Sequence, residues 1–224
     1  MTMSISGRCE RTGVLGIAIA SSSLSVAARC AYARAGVGVC ATQNITDPRL
    51  GPRGLALMES GYGAEAALQA LRDGADYPEY RQLGLLDNSG NTACYSGANS
   101  LGIHGSARGH NVHALGNLLA NEHVPREMVS AFESQPDKHL GNRLIAGMQA
   151  GLAAGGEAGP VFSAGMILVD RVPWPVADLR IDNHADPIGE LAGLWRLWYP
   201  QMDDYVMRAL NPRLAPKYGV PGDL

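Results

Sequence analysis

The alternation at the start of the chain constrains the fold most. In TMSISGRC (2–9), Thr2, Ser4 and Ser6 fall on one side of an extended backbone, and Met3 and Ile5 fall on the other. That is the two-residue period of a strand with one apolar face. ERTG (10–13) supplies a turn ending in glycine, and VLGIAIAS (14–21) is apolar at almost every position. The spacing predicts a hairpin whose second strand is buried on both faces.

The elements that follow set the fold class. SSSLS (21–25) reads as a polar crossing, and AGVGVCATQ (35–43) as a third strand whose glycines permit close approach. LALMESG (55–61) and residues 64–73 predict two helices, with Pro52 suited to a first helical turn. YRQLGLLD (80–87) and TACYSG (92–97), joined by NSGN, predict a second hairpin. One or two strands are expected over 101–117. Helices are expected from Pro125 to Phe132 and along the stripe Leu140, Leu144, Ile145, Met148 and Leu152. PVFSAGMILVD (160–170) and DLRID (178–182) read as strands. Asp186 and Pro187 read as the cap and first turn of a helix, and a last helical stretch is expected near 202–210.

Hairpin, helices, hairpin, helices, strand pair, helix is not the single alternation of a doubly wound parallel sheet. It suits an α+β fold, a four-layer αββα sandwich of antiparallel sheets. No repeat or linker divides the chain. One domain over residues 1–210 and a tail over 211–224 are expected.

Composition enters by exclusion. A net charge of −3 with only 17% charged residues gives no electrostatic case for a nucleic-acid or membrane-surface partner. No apolar run has the length of a membrane span. The four cysteines, Cys9, Cys30, Cys40 and Cys94, lack CxxC or zinc spacing and suit reduced thiols in a cytoplasmic protein. Arg8, Arg11, VLGIAIA and SSSLSVAA loosely imitate a secretory leader, which Glu10 and Gly16 argue against.

Thr2 is the chemical focus. If Met1 is removed, Thr2 presents a hydroxyl and a free α-amine on one residue. A hydroxyl is a poor nucleophile until a base takes its proton. An α-amine titrating at about 7.7–8.0 is partly neutral near pH 7 and already sits beside that hydroxyl.

MTMSI at the start, LGIAIAS (15–21), ARAGVGVCATQN (33–44), GPRGLALMESG (51–61), LGNLLAN (115–121), FSAGMILVD (162–170) and DLRIDNHADP (178–187) resemble, in order, the domain-of-unknown-function family numbered 1028. That family is grouped with the N-terminal-nucleophile (Ntn) hydrolases, which are αββα sandwiches. The resemblance implies Thr2 as nucleophile. Arg34 falls near the place of the proteasome-type lysine, and Ala18 takes the approximate place of the assisting aspartate. Arg34 stays charged and cannot shuttle protons, but it would depress the amine's pKa or hold a substrate carboxylate, with a structural ion pair beneath the sheet as the alternative. Leu115, Gly116 and Asn117 resemble the family's QGN, with Leu115 a departure, and Asn117 is a candidate oxyanion donor, with a turn-forming Gly-Asn after a strand as the alternative.

Ser21, Gln43 and Asn44 are candidate substrate-binding or orienting groups, with turn capping as the structural alternative for the last two. Ser4 and Ser6 would be nucleophiles only after internal cleavage. Asp182, His184 and Asp186 suggest a metal by residue type, but Arg180 in the same row opposes it, and no metal or cofactor is expected. His104, His110 and His113 read as structural. No GxSxG, HExxH or P-loop motif is present. Trp195, Trp198 and Tyr199 suit either a core or the surface of a homo-oligomer. The expected function is Ntn-type amidohydrolysis of a C–N bond in a small amide or ureido substrate. The alternative is a binding or accessory protein that keeps the fold without the chemistry.

Overall fold

The computed structural model describes residues 2–220. Strand β1 (Thr2–Arg8) follows its alternation, with Met3 and Ile5 entering an apolar core. It pairs antiparallel with β2 (Leu15–Ser21), every residue of which is buried. A short helix α1 (Ala27–Cys30) and strand β3 (Ala31–Arg34) precede β4 (Gly38–Asn44). Then come α2 (Leu50–Glu59), α3 (Ala64–Asp73), β5 (Arg81–Asp87), β6 (Thr92–Ser96), β7 (Ile103–Gly109) and β8 (Val112–Leu119). Helices α4 (Val124–Glu133) and α5 (Leu140–Ala153), strands β9 (Ser163–Val169) and β10 (Ala177–Ile181), and helices α6 (Pro187–Trp198) and α7 (Met202–Leu210) complete the order.

The strands form two antiparallel sheets, β10-β9-β2-β1-β8-β7 and β3-β4-β5-β6. Helix α5 lies on the central strands β1 and β2 of the first sheet, α4 on β8 and the edge strand β7, and α6 on β9 and β10, while α2 and α3 cover the second sheet. The uncovered faces of the two sheets meet, with β1 against β4 and β5 and β8 against β5 and β6. Because strand side chains alternate, each central strand sends one set to the helices and the other to the space between sheets. Leu15, Ile17 and Ile19 go between the sheets and meet Val39, Ala41 and Leu86. Ala18 and Ala20 face the helices.

Local chemistry explains the hinges. The β1–β2 turn closes with Cys9 N–H donating to the Val14 carbonyl at 2.8 Å. Asp87 accepts from the Ser89 and Asn91 amides and so shapes the β5–β6 turn. Asp186 accepts from Gly189 N–H at 3.0 Å, with Pro187 in the first turn of α6, as the sequence leads one to expect.

Two expectations are corrected. The third strand is not continuous over 35–43. A hairpin of β3 and β4 turns at Gly36, whose φ of +70° suits glycine, and Val37 N–H donates to the Arg34 carbonyl. AYAR is too short and too alanine-rich to announce itself as a strand. Helix α2 starts at Leu50, earlier than expected, because Asp47 gathers the Arg49 and Leu50 amides ahead of it. Residues 221–224 of the expected tail lie outside the described residues.

Candidate functional site

Thr2 opens the buried central strand of the larger sheet and is 6% exposed. It stands opposite Asn117 on β8, and continuing the register with β2 puts Ser21 on its other side. The Thr2 and Ser21 hydroxyls are 3.4 Å apart. Ser21 Oγ is 2.8 Å from Ser23 Oγ, which accepts from Arg29 Nη2 at 2.6 Å. A chain of polar contacts therefore runs from a guanidinium to the Thr2 hydroxyl.

The side of β1 that carries Thr2 faces the second sheet across a layer of amides. Ser4 Oγ donates to Gln43 Oε1 at 2.9 Å, and Gln43 Nε2 donates to Gln82 Oε1 at 2.7 Å. Asn117 Nδ2 donates to the same Gln82 oxygen at 3.0 Å. Gln82 Nε2 in turn donates to Ser96 Oγ and to the Gly116 carbonyl. Ser4, Gln43, Gln82 and Asn117 are all buried. Each link occupies a group that would be costly if left bare, which holds the amides in fixed orientations. Further along the layer, Ser6 Oγ and both ring nitrogens of His113 are buried without hydrogen-bond partners among the described residues. Burial, with Arg108 adding to it, drives the His113 pKa down to about 3, so the ring is neutral. A Cβ on Gly84 would come within 2.5 Å of His113 Nε2, so glycine is what lets the sheets close at that point.

Thr2, Ser21, Asn117 and Gln43 thus gather in one region, and two other expected residues do not. Arg34 is exposed and ion-paired with Glu59 of α2. It pairs with Gly38, whereas Gln43 lies five residues further along β4, roughly 17 Å away. Placing Arg34 by its likeness to the proteasome-type lysine fails because β3 ends at the far end of its sheet. Asn44, at φ +71°, donates to the Tyr80 carbonyl and accepts from Leu101 N–H. Both ends of its amide fix loops, so its role is structural. Ala18 points into the helix-facing core and offers Thr2 nothing. Removal of Met1 concerns a residue outside the described ones.

Three residues of the region were missed. Gln82 is an inward polar position in RQLGLLD, and strand periodicity from Leu86 back through Gly84 would have marked it. Arg29, rather than Arg34, is the cation linked to the Thr2 hydroxyl. Glu157, in the loop between α5 and β9, is 5% exposed, and its Oε2 accepts from Ser22 N–H at 3.2 Å. Burial pushes its carboxyl well above the usual carboxylate range, a rise that the positive charge at the chain's N-terminus and then the Ser22 hydrogen bonds oppose. Its backbone bridges Leu119, just past Leu118, a non-glycine residue at φ +50°. It also lines a cavity of about 230 Å³ shared with Leu152, Val161, Ile188 and Asp186.

The metal reading gains nothing. Arg180 is bound to Asp178, and His184 Nδ1 accepts from Asp186 N–H. Among the described residues no group of three His, Cys, Asp or Glu is placed to hold an ion.

A model described as a family of unknown function (DUF1028) matches residues 2–191. The chain belongs to that family. A crystal structure of protein SPO2555 from Silicibacter pomeroyi, also DUF1028, is 30% identical over 88% of each chain, with a TM-score of 0.81. Anbu, the ancestral β-subunit from Yersinia bercovieri, is 9% identical over 96% of this chain and 99% of that one. Its TM-score of 0.36 is too low to carry an argument. No curated protein matches the chain. Among the described residues no helix is long and apolar enough to cross a membrane.

Proposed function

We propose that this DUF1028 protein is an Ntn-type amidohydrolase that cleaves a C–N bond in a small amide or ureido compound. In this reading Thr2 is the first residue of the mature chain. Its neutral α-amine takes the hydroxyl proton as Oγ1 bonds to the substrate carbonyl carbon. The carbonyl electrons move onto oxygen, where the second Asn117 amide hydrogen and backbone N–H groups receive them. As the tetrahedral species collapses, the C–N bond breaks and the departing nitrogen takes the proton back from the amine. Water then opens the acyl ester, with the amine serving again as base.

The observation that carries the reading is the position of Thr2. Its hydroxyl opens a buried central strand, faces the space between two helix-covered sheets, and contacts Ser21 at 3.4 Å. The helix–sheet–sheet–helix order is that of Ntn hydrolases. The neighbouring groups are mostly neutral donors and acceptors, which suit an uncharged amide or ureide. All four cysteines are free, in keeping with a reducing, cytoplasmic setting.

Intact mass of the purified protein tests the premise, since a chain starting at Thr2 is lighter by one methionine. A β-lactone or fluorophosphonate probe then tests the chemistry. Wild type is expected to gain one adduct and Thr2→Ala none. Retention of Met1 in the whole population, or equal labelling of Thr2→Ala, would reject the reading.

A further inference from the structure

The chain runs past the start of β1 on both flanks. Ser22, the residue after β2, lies one position beyond the residue beside Thr2, and at the end of β8 Leu119 lies two positions beyond Asn117. Glu157 joins these two extensions. Its backbone bridges Leu119, neighbouring backbone bonds link Ala120 to Gly156 and Ala158 to Leu118, and its Oε2 accepts from Ser22 N–H. The carboxylate therefore lies across the end of the slot that β1 occupies, in the direction in which the α-amine of Thr2 leads out of the strand.

The other carboxylate oxygen raises a question of partners. Glu157 Oε1 is fully buried and has no hydrogen-bond partner among the described residues. A buried carboxylate oxygen without a donor is costly, and folded chains rarely keep one without a use. Asp186, the other titratable group around the same cavity, is committed to capping α6 through Gly189 N–H. Among the groups that the topology brings to this end of the slot, the Thr2 amine of a processed chain is the donor that fits.

We infer that Glu157 is the positioning residue for the N-terminal amine: its Oε1 accepts one N–H of mature Thr2 and so turns the nitrogen lone pair toward Oγ1. The inference rests on Thr2 being the mature start. It gives the protein a carboxylate in this part of the site from a loop far along the chain, where Ala18 cannot supply one. It also gives the ammonium that forms during proton transfer a counter-charge.

The test uses the full chain released from a cleavable N-terminal fusion so that it begins at Thr2, with the threonine nitrogen isotopically labelled. NMR titration of the α-amine is compared in wild type, Glu157→Gln and Glu157→Asp. An ionised carboxylate in contact raises an amine's pKa, so Glu157→Gln is expected to lower it by about one unit or more, with partial recovery in Glu157→Asp. β-Lactone labelling of Thr2 in Glu157→Gln should slow about tenfold or more. An amine pKa unchanged in Glu157→Gln would reduce Glu157 to an anchor for Ser22 and overturn the inference. Should that variant not fold, the wild-type Glu157 carboxyl is titrated before and after acetylation of the amine. A rise on acetylation supports the contact, and no change removes it. Amine titration needs no turnover, so a coupled pair in a chain that the probe never labels would uphold Glu157 and reject the hydrolase.

Discussion

The layer between the two sheets has two unlike halves. Under β2, β9, β3 and β4 it is aliphatic, with Leu15, Ile17, Ile19, Val39, Ala41, Leu86, Ile167 and Val169 in one cluster. One strand over, under β1 and β8, it is mostly polar, with Thr2, Ser4, Ser6, His113 and Asn117, and Leu115 among them, against Gln43, Gln82 and Ser96. The first half holds the sheets together at about 25 cal/mol per Å² of apolar surface removed from water. The second gains only about 1 kcal/mol net for each hydrogen bond made, and loses where Ser6 and His113 have no partner. Adhesion alone would not place three hydroxyls in succession on the inward face of the central strand. The aliphatic half stabilises the frame, and in the proposed function the amide half is what receives a polar substrate at the Thr2 end.

Four variants can break or sharpen that contrast. Ile17→Ala, in the aliphatic half, should cost about 4 kcal/mol in chemical denaturation while the folded fraction still labels at Thr2. Gln82→Ala, in the amide half, should cost about 2 kcal/mol, because Gln43 and Asn117 lose their shared acceptor. Unlike Ile17→Ala it should also slow labelling of Thr2, and equal effects of the two variants on labelling would erase the distinction between the halves.

His113→Leu should gain about 1 kcal/mol at pH 7 by removing two unpartnered nitrogens. Between pH 6.5 and about 3 the unfolded chain protonates this ring and the folded chain does not, so wild type loses stability as pH falls through that interval. Melting curves across it should be flatter for His113→Leu. The smallest effect belongs to Arg34→Ala, which breaks an exposed pair with Glu59. It should change stability by about 0.5 kcal/mol or less and leave labelling intact, and a large loss of labelling would return Arg34 to the site.

Much of this was readable from residues. The period of TMSIS fixed which face of β1 is polar, the helix expected over 64–73 is α3, and Asp186 with Pro187 opened α6. Thr2, Ser21 and Gln43 were singled out by type and position and Asn117 by the family resemblance, and the four lie together. What escaped depends on contacts that exist only in the folded chain. Glu157 sits in a glycine-flanked loop that looks solvated until β8 and Ser22 enclose it. Arg29 reaches Ser23, six residues back, a contact that exists only once the segment leading into α1 has folded. Arg34 misled because likeness to a lysine in another chain fixes residue order, while β3 is short and carries its last residue away from the other residues.

The most direct measurement compares two preparations of the full chain, one beginning at Met1 and one released from a fusion to begin at Thr2. Each is treated with a β-lactone, and the adduct is mapped by tandem mass spectrometry. A single adduct on the Thr2 hydroxyl, confined to the chain that begins there, is the expected result. Equal labelling of both preparations, or an adduct carried by Ser4 or Cys9 instead, would contradict a nucleophile activated by its own α-amine.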